Sequence, residues 1–561
     1  MGWRQLSALE IEQLTKQQNS ADDWNQVSVV GTFCLTHIRN CHFSGRVLLG
    51  ENVSLYNVAW LANCQVGDNC FIRNVGEISF EGYQFDFPIE IRNEDGSHCV
   101  AAFPEMAIAD AFLCSQYPSS HPIHHVGNSN GELCQAQYGF IGDHVSISNV
   151  RSIRNCFIEP YAHLSDCTQL EQVYIHSSQE EPTTIGAGVI ARNAIFGLAN
   201  LVDTNAIVRN VLTGSGVALS EGLRITHCVV GDNSHLSCCE VLFALIFPFH
   251  EQHHNNSFLI AGTLLGQSNI AAGATIGSNH NGRKNDCEMS AGRGFWPGLC
   301  ASIKFPSHFA SYTLLAKGAY PYELKVSLPF SLLNNNVHDD ALEIMPAFWW
   351  MYNCFALRRN AEKFQQRDHR KVYTQHIHYQ PLAPDTVQEI ITALNLFMIG
   401  EDAVLKGVER SRRTVRILKK DQAIAAYREM LLYYAYMTLH VDFEQEGQKL
   451  AETVKRAEHF TWSCVGGQLI PTRAVDELLS KPSPTWTEMH QRYDVLWNQY
   501  EEDNKSFACY VLKYLCDCKP SYEKIEMLMA LGREVVRDFN RRADAERERD
   551  LQSEFRRQIG R

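Results

Sequence analysis

A chain of 561 residues, 45% hydrophobic and 20% charged, has the make-up of a globular protein. It exceeds the roughly 250–300 residues at which one core stops growing, so two or more domains are expected. A formal net charge of −13 excludes a broadly basic nucleic-acid-binding surface and leaves room only for a local basic pocket.

The opening residues, MGWRQLSALEIEQL, show no basic region followed by an apolar run, so no secretory signal is expected. Leu6 stands where a myristoylation signal wants Ser or Thr. An N-terminal helix is placed within residues 1–24. The longest strongly apolar run, Val241 to Phe249, is too short for the roughly 20 residues of a membrane span. Nineteen cysteines without a leader point to reduced thiols in a cytoplasm. There is no CxxC, and Cys238-Cys239 and Cys516-Asp517-Cys518 are poor zinc signatures. The cysteines read as small buried hydrophobes, and no metal ligand set is assigned.

From about 25 to 335 the chain repeats. VGDN occurs at Val66–Asn69 and Val230–Asn233, and IGDH at Ile141–His144. Apolar residues recur six apart at Val66, Ile72 and Ile78, at Ile141, Ile147 and Ile153, and at Ile270 and Ile276. Arg-Asn pairs begin at Arg39, Arg73, Arg92, Arg154, Arg192 and Arg209. A period of six fits neither a helix nor a lone strand. It fits a parallel β-helix, in which each hexad supplies a short strand and a corner. The aliphatic residue points inward, the Gly, Asp or Asn after it turns the corner, and stacked Asn side chains form ladders. The pattern fails between about 80 and 137. There, alternating residues, an Asp95-Gly96 turn and a helical stretch near Pro104–Leu113 predict an insertion that leaves the β-helix between coils.

After about 336 the period becomes helical. Ile424, Tyr427, Leu431, Tyr434 and Leu439 share one face, and Ile525, Leu528, Val535, Val536 and Phe539 another. Pro384-Asp385 and Pro520-Ser521 read as helix starts, and SKPSP near Ser480 as a joint. An α-helical domain of six to eight helices is expected over 336–561. The basic run ERSRRTVRILKK, Glu409 to Lys420, reads as an exposed helix face or loop, and the charged C-terminal stretch as a solvated helix end. The fold class is thus a β-solenoid plus α, with an inserted segment.

Three stretches carry more polarity than a coil needs. In SNHNGRKND, His280 titrates in the range of a general base, Asn279 and Asn281 can orient it or meet sugar hydroxyls, and Arg283 and Lys284 can hold a phosphate. In FHEQHHNNS, His250, Glu251, His253 and His254 suggest a polar ligand surface. They suit zinc less well, since adjacent residues of a strand point to opposite faces. In GRGFWPGLCASIKF, Arg293 and Lys304 add positive charge, and Trp296 can cover a ring.

The hexads resemble the left-handed β-helix of the trimeric LpxA-like superfamily of acyltransferases, sugar-nucleotide transferases and γ-type carbonic anhydrases. The stretch from about Glu251 to Arg359 is similar to an uncharacterised bacterial family that carries a domain-of-unknown-function label. The resemblance implies left-handed winding, a homotrimer and a histidine on a coil that takes a proton from the acceptor. With it, the leading expectation is a transferase acting on a sugar-phosphate or nucleotide-linked sugar, with acyl transfer preferred over nucleotidyl transfer. His280 is the catalytic residue of this reading. Asn279, Asn281, Arg283, Asp286, Arg293, Trp296, Lys304, His253 and His254 are its binding groups. The cofactor is open, with acyl-CoA one candidate donor. The alternatives are a non-catalytic sugar- or nucleotide-binding scaffold and, behind it, a nucleotidyltransferase relative or a zinc hydratase.

Overall fold

The computed structural model describes residues 2–30, 33–82, 85–118, 120–126, 138–277, 288–439 and 443–552. The chain forms two compact units. One comprises Met1–Gly262 with His369–Thr374 and Thr485–Thr487; the other comprises Thr263–Asp368, Gln375–Pro484 and Glu488–Arg561.

The first unit is a parallel β-solenoid. Its register sets one inward column, Ile38, Leu55, Ile72, Ile147, Leu164, Ile185, Val202, Leu219 and Leu236, each over the next. All nine are buried. Such a column holds because each coil covers the apolar face of its neighbour. The six-residue period is corrected here. Along Ile141, Ile147, Ile153, Ile158, Leu164, Leu170 and Ile175 the inward residues step by six, six and then five. The pairing of Ile141 with Ile158, and of Ile158 with Ile175, closes that coil in fewer residues than three hexads need. A left-handed residue sits on each short side: Asn155 (φ 51), Gln172 (φ 58), Asn193 (φ 49), Asn210 (φ 51) and His227 (φ 55).

The expected amide ladders are present. Asn40 donates to Asn57, Asn57 to Asn74, and Asn74 to Asn149, each at 3.0 Å, and Asn149 donates to Asp166 at 2.9 Å. A second ladder joins Asn193 to Asn210 at 2.8 Å and Asn210 to His227 at 3.0 Å. Of the Arg-Asn pairs, those at Arg39, Arg73, Arg192 and Arg209 place their Asn on a ladder, whereas Asn93, in the insertion, donates to Ser97. The insertion is an antiparallel hairpin, Phe87–Glu90 with Cys99–Ala102, followed by the helix Ile108–Ser115. It folds back on its own unit: the Glu90 amide donates to His227 Nδ1 at 3.1 Å, and Phe112 meets Phe247 edge-on. The N-terminal helix is short, Ala8–Lys16, and starts at a capping box of Ser7 and Glu10. Burial pushes the thiols of Cys70, Cys156 and Cys228 up to about 12, as suits cysteines used as small hydrophobes.

The second unit also contains parallel coils. Ser302–Ile303 pairs on one side with Thr275–Ile276 and on the other with Ala319–Tyr320. A five-stranded sheet includes Trp296–Pro297, Leu314–Leu315 and Leu332–Asn336, then turns antiparallel at Ala341–Met345. Its last strand, Thr414–Ile417, comes from the basic run, which is not a helix face. Arg413 in that run is committed to Glu409, with side chains only 5% and 0% exposed. The long helices are Cys354–Arg367, Pro384–Ile399, Lys420–Leu439, Phe443–Arg456, Trp486–Leu515 and Tyr522–Gln552. Pro384 occupies the first turn of its helix, as the sequence predicts. Among the described residues no helix is long and apolar enough to cross a membrane.

The ladder makes Asn57 a test of the solenoid. Asn57→Ala breaks two amide bonds and places a Cβ-bearing apolar residue at φ 55. Its loss of stability is expected to be about 1–3 kcal/mol. Asn57→Gly removes the bonds and accepts the left-handed backbone, so it should lose less. The two urea midpoints, compared with wild type, check the order.

Candidate functional site

In the second unit, three strands stack an outward column of Ser290, His308 and Lys325 in register. Strand alternation dictates the column, because Met289, Ala291 and Phe309 on either side are buried inward. Ser290 Oγ and His308 Nδ1 are 2.8 Å apart, which leaves Nε2 as the imidazole's second nitrogen for proton exchange. Burial, and then the charge of Lys325, lower the His308 pKa below its usual value. The ring is therefore neutral at pH 7.

The helix Pro384–Ile399 supplies the facing chemistry. Asp385 lies in its first turn, and Glu389 follows four residues later on the same face. Arg293 holds Asp385 with both arms: Nε to Oδ2 at 2.7 Å and Nη2 to Oδ1 at 2.8 Å. The remaining arm, Nη1, donates to Gln267 Oε1 at 3.2 Å and to the Gln380 carbonyl at 3.1 Å, and Tyr312 also donates to Gln267 at 2.8 Å. Arg293 is only 1% exposed. Loss of either partner of such a buried pair strands a charge, at a cost of about 3–5 kcal/mol.

Glu389 is set differently. Its Oε2 accepts the Ser311 amide at 3.0 Å, and its Oε1 accepts the Ser311 hydroxyl at 3.2 Å. Burial, together with the negative charge of Asp385, pushes its carboxyl up to about 8, against the pull of Ser311 and Arg293. Glu389 and His308 line one cavity of about 560 Å³, with Gln388, Thr392, Asn395 and His459 on its wall. Gln388 is fixed by two bonds to the Trp462 backbone, each 2.9 Å, and the Asn395 amide oxygen accepts Tyr514 at 2.9 Å. A protonated carboxyl and a neutral imidazole thus border the same space near pH 7, an arrangement suited to acid–base chemistry.

The residues singled out from sequence fall in several settings. His280, Asn279, Asn281, Arg283 and Asp286 lie outside the described residues. The donors of Arg293 are spent on Asp385, Gln267 and Gln380. Trp296 is half-buried with its ring 5.8 Å from that of Trp349. Lys304 lies 3.3 Å from Glu323. His253 and His254 belong to the first unit, with their rings 4.5 Å apart. Sequence reading missed Glu389 as a site residue, and took Asp385 only as a helix start. Both are ordinary helix residues until the fold sets Ser311 and Arg293 against them. The one available signal was their spacing of four just after Pro384.

The register and columns define a parallel β-solenoid protein with a helical C-terminal region. The chain belongs to the family described as "Domain of unknown function (DUF4954)", whose pattern matches residues 3–59 and 48–398. An uncharacterized protein of Treponema pallidum (strain Nichols) is 35% identical over 91% of this chain and 82% of its own length. A crystal structure of UDP-N-acetylglucosamine O-acyltransferase (LpxA) from Moraxella catarrhalis RH4 aligns with 50% of this chain and 93% of its own. At 9% identity and a TM-score of 0.16 that likeness carries nothing about chemistry.

The protonated carboxyl makes a stability prediction. In the unfolded chain Glu389 releases its proton near 4.5, and in the folded protein near 8. The proton bound only in the folded state stabilises it fully below about 4.5, and that stabilisation is lost as pH rises to about 8. Glu389→Gln lacks this dependence. Its urea midpoint, relative to wild type, should rise steadily across that window and level off above it. A difference that stays constant with pH contradicts the assignment.

Proposed function

We propose that the protein is an enzyme that transfers a group, an acyl group in the leading reading, to a hydroxyl of a phosphorylated or nucleotide-linked sugar. Its proton transfers take place in the cavity bordered by His308 and Glu389. The observation that carries this reading is that one imidazole and one carboxyl, each engaged by a serine, open into a single cavity. A neutral imidazole takes the proton of an acceptor hydroxyl as its oxygen attacks the acyl carbon. A carboxyl that keeps its proton near pH 7 can donate to the oxygen or leaving group where negative charge gathers. Lys325, next to His308 in register, offers a cation for a phosphate. Gln388, Thr392 and Asn395 supply the amide and hydroxyl groups that a sugar needs. The reading also keeps His280 as a candidate base, with Asn279, Asn281, Arg283 and Asp286 as binding groups, and a homotrimer as its assembly.

The test begins with a thermal-shift screen of acyl-CoAs, nucleotide sugars and sugar phosphates to find the ligands. Turnover is then measured for wild type, His308→Gln, Glu389→Gln and His280→Ala. The first two variants should lose about 10²–10⁴-fold in kcat with an unchanged circular dichroism spectrum. Full turnover in both, or a loss confined to His280→Ala, moves the chemistry out of this cavity. Ligand binding without any turnover points to a binding protein.

A further inference from the structure

Apart from the cavity, the first unit gathers a second set of reactive side chains. The column of aliphatic residues that runs through its core ends at Gln252, which pairs with Leu236 and is fully buried. An amide stands where the preceding coils place Ile, Leu or Val. It meets His250 Nε2 at 3.2 Å and Ser257 Oγ at 3.1 Å. Gln252 points inward, so its strand neighbour Glu251 faces the other way, and His253, just past the strand end, lies beside it. The pairing that stacks Gln252 on Leu236 also stacks Glu251 on His235 of the preceding coil. The Ser237 hydroxyl, on the same strand as His235, donates to the His253 carbonyl at 3.4 Å and ties down the turn that presents its ring.

We propose that His235, Glu251 and His253 form a binding site for a divalent transition-metal ion, zinc(II) foremost, with one coordination position left for an oxygen ligand. One ligand atom from each of the three lies within 4.8 Å of the others. The rings of His235 and His253 are 5.0 Å apart. Two ligand atoms on a tetrahedral zinc ion stand roughly 3.3 Å apart, given bonds of about 2.0–2.1 Å. His253 Nδ1 and Glu251 Oε2 already stand at 3.0 Å, so they span one edge of that tetrahedron. The exposed His235 brings the third ligand atom within 4.8 Å of those two. Two imidazoles and one carboxylate are a borderline-soft donor set that suits zinc, and three protein ligands leave the fourth position open, as in catalytic zinc sites. His254 is adjacent in sequence and stands outside the cluster. Although the rings of His253 and His254 are 4.5 Å apart, the ligand that completes the set arrives from another coil.

The test uses the full chain, stripped with EDTA and kept reduced. Zinc(II) is titrated by calorimetry, and cobalt(II) is added in parallel to give a visible absorption spectrum. Wild type should bind one zinc ion at this site, show the intense band of a tetrahedral cobalt centre without thiolate charge transfer, and gain thermal stability with zinc. His235→Ala, at an exposed position, should fold as wild type does and bind zinc weaker by about 100-fold or more. It should also lose the cobalt band and the thermal gain, and Glu251→Gln should repeat the loss. Binding and spectrum unchanged in His235→Ala, or a cobalt spectrum dominated by thiolate, would overturn the site. Neither residue belongs to the cavity of His308 and Glu389, so this outcome is independent of the transferase reading.

Discussion

One constraint governs the solenoid of the first unit: every coil must lay its inward aliphatic residue on that of the coil before it. The column from Ile38 to Leu236 meets this constraint with buried Ile, Leu and Val throughout. Close stacking fixes the register of this column, since a slip of one residue would turn its inward set outward. The corners must therefore return the chain to the same column. Left-handed Asn and His residues do this, and the amides of Asn40, Asn57, Asn74 and Asn149 pass hydrogen bonds along the stack. The insertion leaves this stack undisturbed. Ile72 pairs with Ile147 as directly as Leu55 pairs with Ile72, because parallel coils ask only that the chain return to the same column.

The same constraint explains how reactive groups are assembled. Residues one coil apart in sequence become neighbours on an outward face. Ser290, His308 and Lys325 form one such column, and His235 with Glu251 another. A solenoid holds these groups on rigid strands, so their spacing does not rely on loops. The helix Pro384–Ile399 then brings two carboxyls, Asp385 and Glu389, to the coils of the second unit. Of its two carboxyls, Asp385 is gripped by a guanidinium, whereas Glu389 is buried beside the negative charge of Asp385 and keeps its proton.

Gln252 shows the same logic from the core side. A buried amide in an aliphatic column is unfavourable unless it is satisfied, and His250 and Ser257 satisfy it. The break in the core pattern coincides with the outward cluster of His235, Glu251 and His253. Departures from a repeat's own rule are where function is to be sought.

Periodicity alone determined the solenoid, its Asn corners, the inserted hairpin and helix, and the change to helices. Each of these is a local pattern repeated often enough to be read, as at Ile141, Ile147 and Ile153 or at Asp95-Gly96. The five-residue side was hidden because two hexads in a row mask one shortened step. Nothing near Thr414–Ile417 announced a strand, since that segment is a strand only through its pairing with Ala341–Met345. The placement of chemistry was the tertiary structure's to decide. Arg293 is read from sequence as a free cation and is bound to Asp385, which follows 92 residues later. His308 acquires Glu389, and His253 acquires His235, only when the chain has folded. Sequence spacing records what a residue is and which way a repeat points it. The partner that sets its charge and reach comes from another coil or helix, and contact across such distances leaves no periodic trace.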